Sequence, residues 1–412
     1  MDDLVSFDAV TVVSSAIALL LTALQLPALA LLLARLLKGA RRLPALTPQP
    51  PTVDLVGQVS VVVPTLNEAA RIQPCLDGLT RQTYEVREVI VVDSRSTDGT
   101  GDRVKAQQQT DPRFRLMTDD PLPADWVGRP WALHNGFLAS SVRSRWILGV
   151  DADTRPQPAL VASLVQMADT KGYDLVSLAP QFILKGAAEW WLQPALLVTL
   201  LYRFGAAGAD ADNPERVMAN GQCFLVRRSL LEQLDGYHCA RQSFCDDVTL
   251  AREAARQGAK VGFWDGAKLL QVRMYDGVAD LWEGWGRSLD LKDAATSAQK
   301  WGDLAFLLAV QGIPLLALVT FGCLLVAGIQ TPVLWLAFGV NSLLVAMRFA
   351  FLAAILSAYD RQSRQGFWAY WLSPVADPVA VFRIFLSSIR TPKQWRGRVY
   401  GQSMDPSPAD TR

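Results

Sequence analysis

From Val10 to Ala34 the only breaks in an apolar run are serines, threonines, Gln25 and Pro27. A helix that is apolar on every side has no face to give to water, and this one is long enough to cross ~30 Å of hydrocarbon. Asp2, Asp3 and Asp8 precede the run; Arg35, Lys38, Arg41 and Arg42 follow it. The positive flank stays in the cytoplasm, which places the N-terminus outside. A signal peptide carries its charges on the other side and ends in a cleavage site, so the segment reads as a retained anchor. Pro44, Pro48, Pro50 and Pro51 make residues 43–57 a stiff linker into the next domain.

Two more apolar runs, Leu304–Gly328 and Val333–Ser357, are joined by Gln330-Thr331-Pro332, which reads as a tight outside turn. Lys292, Lys300, Arg361 and Arg364 then fall on the inner side, in agreement with the first anchor. Arg348 lies well inside the second run, where a cation must face protein or snorkel. Phe367–Ile389 is apolar but interrupted by Pro374, Asp377 and Pro378. If it spanned, Arg390, Lys393, Arg396 and Arg398 would end outside, so a re-entrant or interfacial helix fits the charge rule. Residues 187–209, with Trp190, Trp191 and Tyr202, fit an interfacial helix with tryptophans at headgroup depth; a buried core helix is the alternative. Ser403–Arg412 has the composition of a disordered tail. The expected organisation is an anchor and linker over 1–57, a soluble unit over 58–300, and a membrane hairpin, interfacial helix and basic tail over 301–412.

The totals agree with this division. Of 412 residues only 19% are charged, against ~25% in soluble proteins. A net charge of +1 supplies no pull towards nucleic acid. Five scattered cysteines suit reduced thiols in a cytosolic setting, and two histidines are too few for a multi-histidine zinc site. Nothing in the composition indicates an oligomeric state.

Within 58–300, β-branched runs alternate with helical stretches. Val59–Val63 ends at Pro64, a helix is expected over Ala69–Gln82, and Glu88–Val92 ends at Asp93. A polar helix through Gln109, a strand at Phe114–Met117 and another at Arg145–Val150 come next. Strands and helices at this spacing make βαβ units and a parallel sheet. In such sheets ligands sit beyond the carboxyl ends of the strands.

Four stretches emerge at those ends. Pro64-Thr65-Leu66-Asn67-Glu68 follows the first strand, and Glu68 either touches a nucleoside or favours a helix N-terminus. Asp93 and Ser94 follow the second strand, with Asp93 placed to bond a base and Ser94 and Asp98 ordering the turn. Asp151-Ala152-Asp153 puts two carboxylates on one turn, a donor set for Mg²⁺ or Mn²⁺ shared with substrate phosphates, or else caps for a helix starting near Thr154–Pro156. Asp246 and Asp247 open an amphipathic helix, either as ordinary N-terminal charges or with one as a general base. Together they suit a nucleotide diphosphate and an activated alcohol.

Val59–Glu68, Val91–Thr100, Gly149–Asp153, Asn220-Gly221-Gln222 and Asp246-Asp247 come in an order and spacing that resembles glycosyltransferase family 2. The resemblance implies an α/β GT-A fold: a Rossmann-like, mostly parallel sheet of a nucleotide-diphospho-sugar transferase, here with N- and C-terminal transmembrane helices. It implies an inverting, metal-dependent enzyme whose donor is a nucleotide-diphosphate sugar. By the same resemblance Pro64, Asn67, Glu68, Asp93, Ser94 and Asp151 serve the donor, and Asp151 and Asp153 hold the metal. Asp247 is the catalytic base beside Asp246, where the family has Glu-Asp. Gly221 and Gln222 belong to the acceptor side.

Processive members carry Gln-x-x-Arg-Trp after the base. Trp282-Glu283-Gly284-Trp285-Gly286-Arg287 lacks the Gln and the order, which argues against polymer synthesis. Arg287 is then a candidate for meeting the leaving diphosphate. Trp282 and Trp285 line an acceptor site or form an interfacial girdle.

Trp126-Val127-Gly128-Arg129-Pro130-Trp131-Ala132 is similar to the Trp-x-Gly-Lys-x-x-Ala segment of membrane-bound members with lipid acceptors, with Arg129 as a permanent cation for phosphate. Trp395-Arg396-Gly397-Arg398-Val399-Tyr400 resembles the endings of carotenoid 2′-O-glycosyltransferases (myxoxanthophyll type) and hopanoid-associated glycosyltransferases. A lipophilic acceptor, a bilayer partner and a cytoplasmic catalytic unit on a plasma or thylakoid membrane are the resulting expectations.

Overall fold

Val59–Thr65 (β1) is buried at every position, because its side chains alternate into two different cores. Val61 and Val63 face one core with Val89, Val91, Leu148 and Val150. Val62 faces the other with Ile90, Val92 and Ile147. Strands covered on both faces read as near-continuous apolar runs, and Val59–Val63 is one, interrupted only by Ser60.

The structure is a computed structural model that describes residues 2–39, 41–209, 213–288, 291, 293–362, 365–389, 394–395 and 398–399. The chain divides into two units. One comprises Leu43–Gln181 and Asp210–Met274, with the C-terminal residues from Arg390; the other comprises Met1–Arg42, Phe182–Ala209 and Tyr275–Ile389. The stretch expected over 58–300 is therefore interrupted by 182–209, and 275–300 goes with the second unit.

In the first unit, β1, Val86–Asp93 (β2), Phe114–Met117 (β3), Trp146–Val150 (β4), Leu175–Ala179 (β6), Cys223–Arg227 (β8) and Val261–Asp265 (β9) form one sheet in the order β3-β2-β1-β4-β8-β6-β9. β1 runs parallel to β2 and β4, β2 to β3, and β6 to β9. β8 alone runs antiparallel, to β4 and to β6, so the sheet is mixed and mostly parallel. Thr154–Pro156 (β5), Gln181–Phe182 (β7) and Leu270–Val272 (β10) make a small second sheet in the order β5-β10-β7.

Helices Gln73–Thr80 (α2), Thr100–Thr110 (α3) and Leu160–Lys171 (α5) supply one core; Gly128–Ala139 (α4), Arg228–Gln233 (α7) and Asp246–Arg256 (α8) supply the other. Gly136 of α4 lies so close to β1 that a Cβ there would overlap Val62.

Two local expectations fail. The helix expected from Ala69 starts only at Gln73, because Asn67 takes a left-handed φ of 55° and Pro74 sets the first turn. Glu68 therefore stands in a loop, and its helix-terminus alternative falls. No helix starts near Thr154–Pro156 either, since those residues form β5. The proline-rich linker is laid along the unit: the Leu46 N–H donates to Asp265 O at 2.8 Å and the Gln49 N–H to Ser163 Oγ at 2.8 Å.

The second unit holds Asp2–Gly39 (α1), Ala187–Phe204 (α6), Val278–Ser288 (α9), Ser297–Leu307 (α10), Pro314–Val326 (α11), Pro332–Ile355 (α12) and Asp377–Ile389 (α13). Among the described residues, Ala9–Gly39, Pro332–Ala358 and Phe367–Ile389 are long and apolar enough to cross a membrane; Ser297–Gly312 with Pro314–Val326, bent by 46°, is a fourth if counted as one span. The protein is an integral-membrane protein.

Cross-bundle bonds order the second unit end to end. Ser15 and Thr331 hydroxyls meet at 3.1 Å at one end. Midway, Gln25 donates to Asn341 at 2.9 Å and to Ala309 O at 3.0 Å, while Asn341 donates back at 3.0 Å. At the other end Arg35 donates to Tyr202 O at 3.0 Å and lies over the Phe306 ring at 4.5 Å.

The segment 367–389 returns to the Arg35 end. Its first half gives the Tyr370 hydroxyl to Leu352 O, in the last turn of α12, at 2.6 Å. Its last turn offers Ser388 O to Lys300 Nζ, at the start of α10, at 3.4 Å. Between them Asp377 receives Arg348, one turn deeper on α12, through both carboxylate oxygens at 2.8 and 3.1 Å. The intramembrane cation thus faces protein. Most residues of α6 are buried, Trp190 completely, so the core alternative describes this helix better than a tryptophan belt at a surface. Of the C-terminal tail, only a two-residue antiparallel ladder, Gln394–Trp395 (β11) with Arg398–Val399 (β12), is described. The Trp395–Tyr400 resemblance otherwise falls outside the described residues, as do Ser403–Arg412, Lys292 and Arg364.

Candidate active site

The loops after β1 and β2 are stitched together at the carboxyl edge of the sheet. Asn67 donates its N–H to Ser96 Oγ at 2.8 Å and accepts from the Thr97 N–H at 3.0 Å. The Glu68 N–H goes to Thr100 Oγ1 at 2.8 Å, and the Ala69 N–H to Asp98 at 2.8 Å. This bracing fixes Pro64 and Asn67 beside Asp93, whose Oδ1 accepts from Ser96 and, at 3.2 Å, from Thr65. Ser94, expected to bind donor, spends its hydroxyl on Asp119 at 2.7 Å. Asp119 O in turn accepts the Trp131 indole N–H. Asp119 was not among the residues expected at the site, although it stands just past the carboxyl end of β3, where ligand-facing side chains emerge in such sheets.

Glu68 is buried and paired with Arg71 at 3.4 Å. Cys75 lies under the same corner: burial pushes its thiol up to about 12, and the carboxylates of Asp153, Asp151 and Glu68 add to that push. No group of three or more His, Cys, Asp and Glu side chains is arranged to hold a metal ion among the described residues. Asp151 and Asp153 nonetheless fit a hard cation, since both offer oxygen from one turn and Mg²⁺ is usually held by one or two carboxylates plus substrate phosphates.

β8 delivers Asn220-Gly221-Gln222 next to that turn. Asn220 is locked by the Ser177 hydroxyl, which accepts its N–H at 2.6 Å and donates to its carbonyl at 2.9 Å. Gln222 O receives the Asp151 N–H at 3.3 Å. The Gln222 side chain is buried and its Oε1 accepts from Asn220 Nδ2 at 3.1 Å.

The acids of α8 meet this loop directly. The Gly221 N–H donates to Asp247 Oδ2 at 2.6 Å, and the Val248 N–H to Asp247 Oδ1 at 2.9 Å. Burial first, then the neighbouring Asp246, raises the Asp247 carboxyl to about 6. Asp246 is buried and also raised, chiefly by burial, with Arg129 opposing the shift.

Arg129, expected to bind phosphate, is found between acids. Its Nε and Nη2 donate to Asp151 Oδ1 at 3.0 and 2.9 Å, Nη2 also to Gly221 O at 2.8 Å, and Nη1 pairs with Asp246. One guanidinium thus spans the strand-end acid Asp151 and Asp246, the acid beside Asp247. A Cβ on residue 221 would collide with it, which accounts for the glycine.

Trp282, Trp285 and Arg287 lie on α9, in the other unit. Trp282 has the Arg383 guanidinium 5.0 Å from its ring and accepts from Arg383 Nε through its carbonyl at 2.8 Å. Trp285 is buried. Both tryptophans therefore have packing roles inside their own unit, and the Arg287 side chain falls outside the described residues.

Residues 60–235 match the family model described as Glycosyl transferase family 2, a span that takes in Asp93, Arg129, Asp151, Asp153 and Gly221 and stops short of Asp246. Glycosyltransferase GlyG of Streptococcus pneumoniae is 30% identical over 118 residues, covering 29% of this chain and 37% of that protein. The 4,4'-diaponeurosporenoate glycosyltransferase of Staphylococcus haemolyticus is 24% identical over 241 residues, covering 58% and 62%. The chain thus spans less than two thirds of the length of these curated relatives. Among solved structures, the mannosyltransferase PcManGT from Pyrobaculum calidifontis, in complex with GDP-Man and Mn2+, superposes with a TM-score of 0.50 at 21% identity, over 89% of this chain and 98% of that one. That likeness is one of fold.

Proposed function

We propose that this membrane-associated chain, whose residues 60–235 match the family 2 glycosyltransferase model, moves a sugar from a nucleotide-diphosphate donor to a hydroxyl of a lipophilic acceptor, with inversion. The observation that carries the proposal is the Asp151–Arg129–Asp246 bridge, which brings the donor turn and the base helix within one guanidinium's width. Asp247 takes the proton of the acceptor hydroxyl as that oxygen attacks the anomeric carbon. The bond from that carbon to the diphosphate breaks on the opposite side, and its electron pair leaves with the phosphate oxygen. With its carboxyl near 6, Asp247 is mostly ionised at neutral pH yet basic enough to accept a proton. Gly221 and Val248 N–H groups hold the carboxylate in one orientation. The 66–69 loop, Asp93 and the Asp119–Trp131 wall take the nucleoside. A divalent cation, Mg²⁺ or Mn²⁺, would be held by Asp151 and Asp153 and would draw charge off the departing diphosphate.

A lipophilic acceptor is supported by the membrane unit, which tethers the catalytic unit to the phase where such an alcohol dissolves and so raises its effective concentration. Among lipophilic acceptors we favour a carotenoid, a reading supported by one relative, aligned over 58% of this chain, whose name is 4,4'-diaponeurosporenoate glycosyltransferase. The basic flank Arg35, Lys38, Arg41 and Arg42 supports a cytoplasmic catalytic unit at a plasma or thylakoid membrane. The test is transfer by the full chain in lipid nanodiscs, with a panel of nucleotide sugars, Mn²⁺ or Mg²⁺, and carotenoid, hopanoid, ceramide and diacylglycerol alcohols, products being weighed by mass spectrometry. A glycosylated carotenoid, absent with Asp247→Asn, supports the whole reading. A glycosylated hopanoid or glycerolipid keeps the mechanism and replaces the acceptor. Absence of both transfer and donor hydrolysis sinks it.

A further inference from the structure

Resting on the glycosyltransferase reading, we infer that Arg129 is a positioning residue for the base Asp247 and does not ligate the donor phosphates. A guanidinium has five N–H donors in one plane. Four are committed: one from Nε and one from Nη2 to Asp151, the second from Nη2 to Gly221 O, and one from Nη1 to Asp246. A phosphate would have to strip bonds from a side chain that is already largely buried between two carboxylates.

What those bonds do is close a ring. The carbonyl of Gly221 is held by Arg129, while its N–H is held by Asp247. Asp247 is bonded in sequence to Asp246, which returns to Arg129. The carboxylate that takes the proton is therefore oriented by a loop segment whose carbonyl Arg129 pins. Charge follows the same path: Arg129 offsets Asp246, the like charge beside the base, and Asp151 on the donor turn. Lys has one compact ammonium in place of the planar fork, so Arg129→Lys keeps the charge and loses the three-cornered bridge.

The experiment compares the unmodified chain with Arg129→Lys, Asp246→Asn, their combination, and Gly221→Ala, all in nanodiscs. Gly221→Ala dislodges the guanidinium sterically while leaving every charge in place. For each, kcat and the KM for donor are measured, together with calorimetric binding of UDP and of GDP in Mn²⁺. Loss of orientation should lower kcat about 100-fold in Arg129→Lys and in Gly221→Ala. Donor KM and nucleotide binding should stay within about threefold of the unmodified chain. The combined variant should be no slower than the worse single one, as for residues acting in one unit. A rise of about tenfold or more in KM and nucleotide Kd with kcat preserved would mark a phosphate ligand and overturn the inference. Additive losses in the combined variant, or an unimpaired Gly221→Ala, would overturn it as well. If the unmodified chain transfers nothing, the glycosyltransferase reading fails by itself. The nucleotide-binding comparison between Arg129→Lys and the unmodified chain still decides whether Arg129 touches phosphate.

Discussion

Gly221 gives its backbone N–H to Asp247 Oδ2 at 2.6 Å, so the carboxylate opening α8 is fixed by the loop that enters β8. Burial and Asp246 raise that carboxyl to about 6. Transfer should therefore rise with pH through an acid limb centred near 6 and level off above it, as the base loses its proton. Asp247→Asn should remove the limb and slow transfer about 10²–10⁴-fold. A pH–rate profile that stays flat between 4.5 and 7.5, at saturating donor and acceptor, would exclude this base.

The same shift has a consequence for stability, with a definite sign. A carboxyl raised on folding favours the fold in its protonated form, and that contribution fades as pH climbs from the unfolded value towards the folded one. Asp247→Asn carries no such penalty. Its melting temperature should exceed that of the unmodified chain by more at pH 7.5 than at pH 4.5, read by thermal scans at both. Equal differences at the two would contradict the raised carboxyl.

Asp151 and Asp153 share one turn, and their proposed cation has a removal test. Chelation by EDTA should stop transfer, and Mn²⁺ or Mg²⁺ should restore it. Asp153→Asn should weaken metal-supported UDP or GDP binding by at least about tenfold, since ligand-shell changes at metal sites cost that much or more. Full activity in EDTA would remove the cation from the scheme.

Arg348 and Asp377 form a pair whose side chains are each 4% exposed. Breaking one partner of such a pair leaves an uncompensated charge and costs about 3–5 kcal/mol. Arg348→Met should unfold the membrane unit at a markedly lower temperature in detergent, and Arg348→Met with Asp377→Leu should recover much of the loss. A double variant as unstable as the single one would mean that packing rather than charge is lost.

The return of 367–389 to its starting end fixes a labelling pattern. In a background lacking Cys239 and Cys323, the substitutions Trp368→Cys and Ile389→Cys should react with an impermeant maleimide from the same side of sealed vesicles. Gln330→Cys, beside the Thr331 cap, should react from the other. Labelling of positions 368 and 389 from opposite faces would make the segment a span.

The legible part of the fold came from local physics. Val59–Val63, Val89–Val92 and Ile147–Val150 carry no charge and, Ser60 apart, no polar side chain, because both faces are covered, and the second and third end at Asp93 and Asp151 as the sheet rule requires. The reversed direction of β8 could not be read, because Cys223–Arg227 has the same apolar character whichever way it runs. The placement of α6 was ambiguous for a similar reason: a helix without a polar face looks alike in lipid and in a protein core. The role of Arg129 was hidden differently. Its motif was visible, but its partners lie 22 and 117 residues away along the chain.

The chain passes between its two units at 42/43, 181/182, 209/210 and 274/275 before its last membrane segments begin. No continuous stretch of gene therefore encodes the catalytic half. Cutting out residues 43–274 would carry along α6 with Trp190 stripped of its cover, and a protease nicking any one crossing would free nothing from the bilayer. Such interleaving means that no single cut separates the sheet-bearing unit from the membrane helices.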